Sequence, residues 1–320
     1  MKLRILTEAD CRALLGMRDA IDVQAQAFSL LAAGATVEGL RGVVRTEKPA
    51  GVAIFNPSFL REGRGYGVKV VSDYFGNTGR GLPRMNALIA LFDGETGAPT
   101  SVLEGGYITD LRTGAGTALA ARHLARKESR VLGVVGAGRV ARNQIEALSA
   151  AFDLREIRVY ARTPRAVPGV SFVERPEDAV RGADLVVAAT TSSQPVVRGE
   201  WVAPGAFVAA VGAFALEMRE LDDEVIRRAA CHVIDSRADV LERAGDFMGP
   251  IQSGILEREA VAEIAEVVAG KRAGRRSPGE ITVYKSSGVP IQDLVTAREV
   301  ERRAIERGVG TVLDIGGDHD

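Results

Sequence analysis

Val131-Leu-Gly-Val-Val-Gly-Ala-Gly-Arg-Val-Ala-Arg142 is the stretch on which the reading of this chain turns. Val131–Val135 are apolar enough for a buried strand, and Gly136, Gly138 and Ala141 follow in G-x-G-x-x-A spacing. Each small residue has a mechanical reason. Gly136 permits a tight turn, Gly138 lets backbone approach a pyrophosphate, and Ala141 lets the next helix pack close to the strand. A helix from Asn143 to Ala151 then directs free N–H groups at phosphates. A glycine turn before a helix is by itself only a turn. Strand, fingerprint and helix in this order read as dinucleotide binding.

Working outward, strand and helix patterns alternate from Glu128 onward. Strands are expected at Glu156–Tyr160, Val170–Val173, Leu185–Ala189, Phe207–Val211, His232–Asp235 and Ile281–Tyr284. Helices are expected from Pro176, over 221–229 and over Arg258–Ala269. Such alternation predicts an α/β fold with a doubly wound parallel sheet of Rossmann type. Upstream, Thr7 and Asp10 look like a capping pair for a helix around Cys11–Leu15, and a second helix runs over Met17–Ala33. Leu40–Arg45, Gly51–Phe55, Tyr66–Ser72, Ala87–Phe92 and Thr100–Glu104 are short β-like segments separated by Gly, Pro and Asn, so a mixed or antiparallel sheet is expected. A small-residue helix over Tyr107–Arg126 links the halves, and the amphipathic helix Gln292–Arg307 returns to the first. The expected division is 1–117 with 291–320 as a smaller α+β domain and 118–290 as the dinucleotide domain.

Composition narrows the function classes. The chain has 320 residues, 46% of them hydrophobic and 26% charged, with a formal net charge of −1. That is ordinary for a folded globular protein and offers no global field for nucleic acid or membrane. Cys11 and Cys231 fit no disulfide framework, and with His123, His232 and His319 they match no metal-ligand spacing. The N-terminus turns charged too early for a signal peptide and no apolar run is long enough to span a bilayer, so a cytoplasmic protein without structural metal is expected.

The end of the second Rossmann strand bears on cofactor type. An NAD-preferring site places Asp or Glu there for the ribose hydroxyls. Tyr160-Ala-Arg-Thr-Pro-Arg165 has no acid and two arginines. Arg162 can stack on adenine and pair with a 2′-phosphate, and Thr163 can donate a hydrogen bond. A solvated loop arginine is the plainer alternative. NADP(H) is favoured over NAD(H), which stays open.

Five motifs now meet: Gly67-Val-Lys-Val-Val71, Tyr107-Ile-Thr-Asp-Leu-Arg-Thr-Gly-Ala115, the glycine fingerprint, Met218-Arg-Glu-Leu-Asp-Asp223 and Lys285-Ser-Ser-Gly-Val-Pro-Ile-Gln-Asp293. Together they resemble the ornithine cyclodeaminase/mu-crystallin family over nearly the whole chain. The resemblance implies a homodimer in which the N-terminal domain and final helix form the dimer and substrate part. Activities in that family interconvert an amine and an imine beside a carboxylate. Arg45 matches the arginine that holds the substrate carboxylate, although a surface arginine reads the same way. Lys69 sits in an apolar β segment where an unpaired ammonium is costly, which favours a site lysine that binds substrate or donates a proton. Arg112 matches the arginine that reaches the cofactor phosphates, or else caps the long helix. Gly136, Ala137, Gly138, Arg139 and Val140 form the phosphate loop. Thr190 and Val211 end Rossmann strands where cofactor contacts collect. Ser286 and Ser287 match the site loop near the nicotinamide, Ser287 towards the substrate. Asp293 is a site carboxylate or the N-terminal cap of the last helix.

One departure bears on the reaction. The resemblance places a catalytic aspartate after the strand ending Val211-Gly212-Ala213, and this chain has Phe214 there. Phenylalanine cannot activate water or move a proton, so cyclodeamination is disfavoured. Glu217 or a bound water is left to assist. The readings are an NAD(P)H-dependent ketimine reductase first, then an alanine dehydrogenase-type enzyme, then ornithine cyclodeaminase, then a nucleotide-binding protein without turnover.

Overall fold

A computed structural model describes residues 1–61, 65–164 and 167–316, with the side chain of Glu38 excluded. Arg165 and His319 therefore lie outside the described residues. In chain order the elements are β1 (Lys2–Leu6), α1 (Glu8–Leu14), α2 (Met17–Ala32), β2 (Thr36–Glu38), β3 (Gly42–Glu47), β4 (Ala50–Leu60), β5 (Gly65–Tyr74), β6 (Met85–Phe92), β7 (Pro99–Glu104) and α3 (Gly105–Leu124). Then come β8 (Val131–Val135), α4 (Arg139–Ala151), β9 (Glu156–Tyr160), β10 (Ser171–Phe172), α5 (Pro176–Val180), β11 (Leu185–Ala188), β12 (Phe207–Ala210), α6 (Asp223–Arg228) and β13 (Ala229–Ile234). The last are α7 (Arg237–Arg243), α8 (Gly245–Gln252), β14 (Ala262–Glu263), α9 (Ile264–Val268), β15 (Ile281–Lys285), α10 (Pro290–Arg307) and β16 (Thr311–Asp314).

The chain divides into two compact units, Met1–Arg112 with Pro290–Asp320, and Thr113–Val289. In the first, a sheet runs β16-β1-β7-β6-β5-β4-β2, with β3 pairing β4. It is mixed, since β1 lies parallel to β7 while the other pairs are antiparallel. Helix α1 opens on a capping box in which Thr7 and Asp10 satisfy each other's backbone N–H groups, as the sequence pattern suggests. Strands β4 and β5 are longer than the short segments expected, because their ten-residue ladder continues through Asn56 and Pro57.

The second unit is an all-parallel sheet in the order β10-β9-β8-β11-β12-β15-β13-β14. Strands β8, β11, β12 and β15 are buried at every position, as strands covered on both faces must be. The order reverses between β8 and β11, which is where doubly wound sheets take ligands at their carboxyl ends. The helix expected over Arg258–Ala269 is not continuous. Ala262 and Glu263 pair with Val233 and Ile234 at the sheet edge, and α9 starts afresh on a Glu263–Glu266 capping box. Sheet pairing there overrides a helical pattern. Helices α7 and α8 lie in a stretch to which the sequence assigned no element.

Candidate functional site

In the first unit the alternation of β5 decides where its lysine goes. Gly65, Gly67 and Lys69 share the buried face of that strand. A Cβ on Gly67 would stand 3.0 Å from Leu294 of α10, so the glycine lets that helix come close. Lys69, next on the same face, meets Asp293 one residue before Leu294. Its Nζ is 2.6 Å from Asp293 Oδ2, and Arg112 Nε donates to Oδ1 of the same carboxylate at 3.0 Å. Arg112 Nη1 also donates to Gln292 Oε1 at 3.3 Å. Lys69, Arg112 and Asp293 are only 5%, 8% and 4% exposed, so two cations share one buried carboxylate. Burial pushes the Lys69 ammonium down to about 8, with Arg112 and Arg41 adding to the fall and Asp293 opposing it. Burial works against ionisation of Asp293, but the two cations and their hydrogen bonds outweigh it and hold the carboxyl below its ordinary value.

Three of the expected residues can now be placed. Asp293 does not cap the last helix, which begins at Pro290; it is the fourth helical residue and pairs with Lys69 and Arg112. Arg112, expected at the cofactor phosphates, is held by Asp293 and Gln292 beside Lys69. Arg45 lies on the exposed strand β3 opposite Val52, whereas Lys69 lies opposite Asn56. Four residues of strand separate those positions, about 13 Å. The arginine that reaches the cluster is Arg41, whose Nε donates to Asn56 Oδ1 at 2.9 Å. Arg41 falls in the same expected β segment as Arg45, Leu40–Arg45, and stands just before β3. Only the strand register shows it to be near Lys69.

In the second unit the glycine turn takes the form its spacing predicts. Gly136 adopts φ +124°, and a Cβ there would strike the carbonyl of Ala189. Its N–H donates to the Tyr160 carbonyl at 2.8 Å, tying the turn to the end of β9. A Cβ on Gly138 would meet nothing within 4 Å, and this residue caps α4 without any side-chain hydrogen bond. Ala137 is buried, Arg139 exposed and Val140 half-buried, while Ala141 is fully buried under the helix. An open cradle at the start of a thirteen-residue helix fits a pyrophosphate. Arg162 and Thr163 are exposed just past β9.

The carboxyl ends of β11, β12 and β15 are tied together by buried charge. Glu220 accepts from Thr190 N and Oγ1 at 2.6 and 3.0 Å, and from Gly212 N and Ala213 N at 2.8 and 3.0 Å. Asp246 accepts from Glu220 N and Leu221 N and stands 3.0 Å from Lys285 Nζ. That Nζ also donates to the Ala213 carbonyl at 2.5 Å. Glu220, Asp246 and Lys285 are fully buried. Asp235 accepts from Ser286 Oγ, Ser287 N and Gly288 N, so the hydroxyl of Ser286 is already engaged. Val211 is half-buried at the end of β12, its N–H donating to the Ala188 carbonyl. Phe214 stands 61% exposed just beyond. The sequence pointed to Thr190 but not to the carboxylate that holds it.

The profile of the ornithine cyclodeaminase/mu-crystallin family matches residues 1–308. The chain belongs to this family. Alanine dehydrogenase of Archaeoglobus fulgidus is 35% identical over 324 residues, covering 98% of either chain. Among solved structures, Delta(1)-pyrroline-2-carboxylate reductase of Thermococcus litoralis, in complex with NADH and L-proline, superposes with a TM-score of 0.89 at 36% identity. The match covers 96% of this chain and 99% of that one. An archaeal alanine dehydrogenase dimer with bound NAD gives 0.90 at 34% identity, covering 99% and 100%. The mixed α/β fold with a Rossmann-type parallel sheet is thus shared with family members along their whole length.

Proposed function

We propose that this protein is an NAD(P)H-dependent reductase of an imine that carries an adjacent carboxylate, such as pyrroline-2-carboxylate or piperideine-2-carboxylate. The observation that carries the reading is the Lys69–Asp293–Arg112 cluster with Arg41 beside it. Two buried cations, Lys69 and Arg112, share one carboxylate, so the cluster keeps a net positive charge for an anionic group, with Arg41 adding to the field at Lys69. Lys69 and Arg112 have hydrogen-bond donors beyond those that Asp293 takes, so each can bind a substrate carboxylate while remaining oriented by Asp293. Arg41 takes the role that family resemblance gave to Arg45. The glycine turn and α4 hold the dinucleotide phosphates, and Arg162 with Thr163 favour NADP(H). A bound nicotinamide cofactor supplies the hydride.

Phe214 separates this reading from its neighbours. No proton can pass through its side chain, so chemistry that makes or expels ammonia lacks the acid–base group placed there by family resemblance. A homodimer accompanies the reading. The sheet face opposite Lys69 exposes Val44, Phe55, Phe59 and Leu88, apolar residues that a second copy would cover. A dimer is also the form described for the archaeal alanine dehydrogenase.

Alanine dehydrogenase activity is the second reading, favoured by the full-length similarity to the Archaeoglobus enzyme. Loss of nicotinamide absorbance with the two cyclic imines, against pyruvate plus ammonia, decides between them. Turnover of a cyclic imine without ammonia is expected; turnover of pyruvate and ammonia alone would replace the first reading with the second.

A further inference from the structure

We propose that Glu220, braced by Asp246 and Lys285, positions the nicotinamide end of the dinucleotide site. The inference rests on the nicotinamide-cofactor reading above and adds to it a residue pair and a lysine outside the phosphate loop. A doubly wound sheet binds a dinucleotide as two halves, one on either side of the strand-order reversal. Here β8, β9 and β10 lie on one side with the glycine turn, and β11, β12 and β15 on the other. Glu220 serves the second side. One carboxylate oxygen takes the backbone and hydroxyl donors of Thr190, after β11, and the other takes the amides of Gly212 and Ala213, after β12.

The strand ends joined in this way have little freedom. A Cβ on Gly212 would collide with the backbone of Thr190 and stand 2.7 Å from Glu220 Oε1, so the two loops touch backbone to backbone. Lys285, the last residue of β15, donates to the Ala213 carbonyl, forms an ion pair with Asp246 at 3.0 Å, and lies 3.9 Å from Glu220 Oε2. Asp246 in turn accepts the amides of Glu220 and Leu221, fixing the backbone from which the Glu220 side chain extends. Two buried carboxylates and one buried ammonium leave a formal −1, balanced by five backbone N–H groups. Burying such charge is costly unless each group is satisfied, and apolar packing would hold three strand ends more cheaply. What charge adds is fixed geometry for loops that must present backbone to a ligand. Glu220 is thus a positioning residue: it acts through Thr190, Gly212 and Ala213, not on the reacting atoms.

The test compares dinucleotides with and without the nicotinamide. Dissociation constants of NADPH and of 2′-phospho-ADP-ribose, and of NADH and ADP-ribose, are measured by calorimetry on the full chain and on Glu220→Gln. The amide turns a donor towards Thr190 or towards Gly212 and Ala213, so binding of NADPH and NADH should weaken about tenfold. Binding of the two nicotinamide-free ligands should change less than about twofold. Equal weakening of all four ligands, or no weakening, overturns the inference, because a purely structural role would not distinguish them. Should Glu220→Gln fail to fold, Thr190→Val is decisive: it removes one donor to the carboxylate and keeps the others. A selective loss of about threefold supports the role, and an equal loss or none overturns it. A wild-type chain that binds none of the four ligands refutes the cofactor reading, and this inference with it.

Discussion

Replacing Asp293 by Asn tests whether the buried cluster depends on its one carboxylate. The side chain keeps its shape and one acceptor, but Lys69 and Arg112, 5% and 8% exposed, lose their shared counter-ion. Removing one partner from a buried ion pair costs about 3–5 kcal/mol, and that loss is expected near pH 6.5, where Lys69 is protonated. The deficit should depend on pH with a definite sign. Lys69 ionises at about 8 in the fold, below its ordinary 10.5, so between those values the unfolded chain binds more protons and stability from this group rises with pH. Without Asp293, whose charge opposes that fall, the Lys69 value drops further and the window opens downward. The deficit of the variant should therefore shrink as pH rises towards about 8 and level off above it. Above that only the Arg112 bonds are missing, about 1.5–3 kcal/mol. Denaturant titrations followed by far-UV circular dichroism at pH 6.5 and 9 measure both values. A deficit under about 0.5 kcal/mol at pH 6.5, or one that grows with pH, would refute the reasoning.

Three further outcomes follow from the same geometry. The kcat/KM for an imino acid should fall as pH rises through about 8, because the neutral Lys69 no longer attracts a carboxylate; Lys69→Arg should move that limb upward and Lys69→Met should abolish turnover while dinucleotide binding persists. Gly136→Ala, forced into φ +124° with its Cβ against the Ala189 carbonyl, should lose roughly 1–3 kcal/mol of stability and bind dinucleotide at least about tenfold more weakly, both read by calorimetry. Arg162→Gln should weaken NADPH about tenfold and NADH little; equal weakening would show that Arg162 does not meet a 2′-phosphate.

The dinucleotide unit was the more legible part of the sequence. Its strands are short apolar runs with fixed neighbours, and the glycine spacing gives position as well as type, so β8, β9 and the Gly136 turn stand where the pattern put them. The Arg258–Ala269 helix was misread because sheet-edge pairing of Ala262 and Glu263 leaves no local trace. In the first unit, Lys69 stood out as a charge in an apolar strand, but its partners did not. Asp293 is distant in sequence and near only through the packing of α10 on β5. Arg41 and Arg45 are alike in composition, and only the β3–β4–β5 register tells them apart. Glu220 and Asp246 have other charged residues close by in sequence, and Lys285, a charge in an apolar strand like Lys69, carries the one local signal of the three. Burial, which the sequence does not print, is what sets the two carboxylates apart.

The central claim is reduction of a C=N carbon next to a carboxylate, and label transfer tests it most directly. The protein is incubated with pyrroline-2-carboxylate and NADPH fully deuterated at the nicotinamide C4, and the product is examined by mass spectrometry and chiral chromatography. L-Proline carrying deuterium at Cα is the predicted result. Unlabelled proline, or imine left unchanged while cofactor binds, would contradict the account.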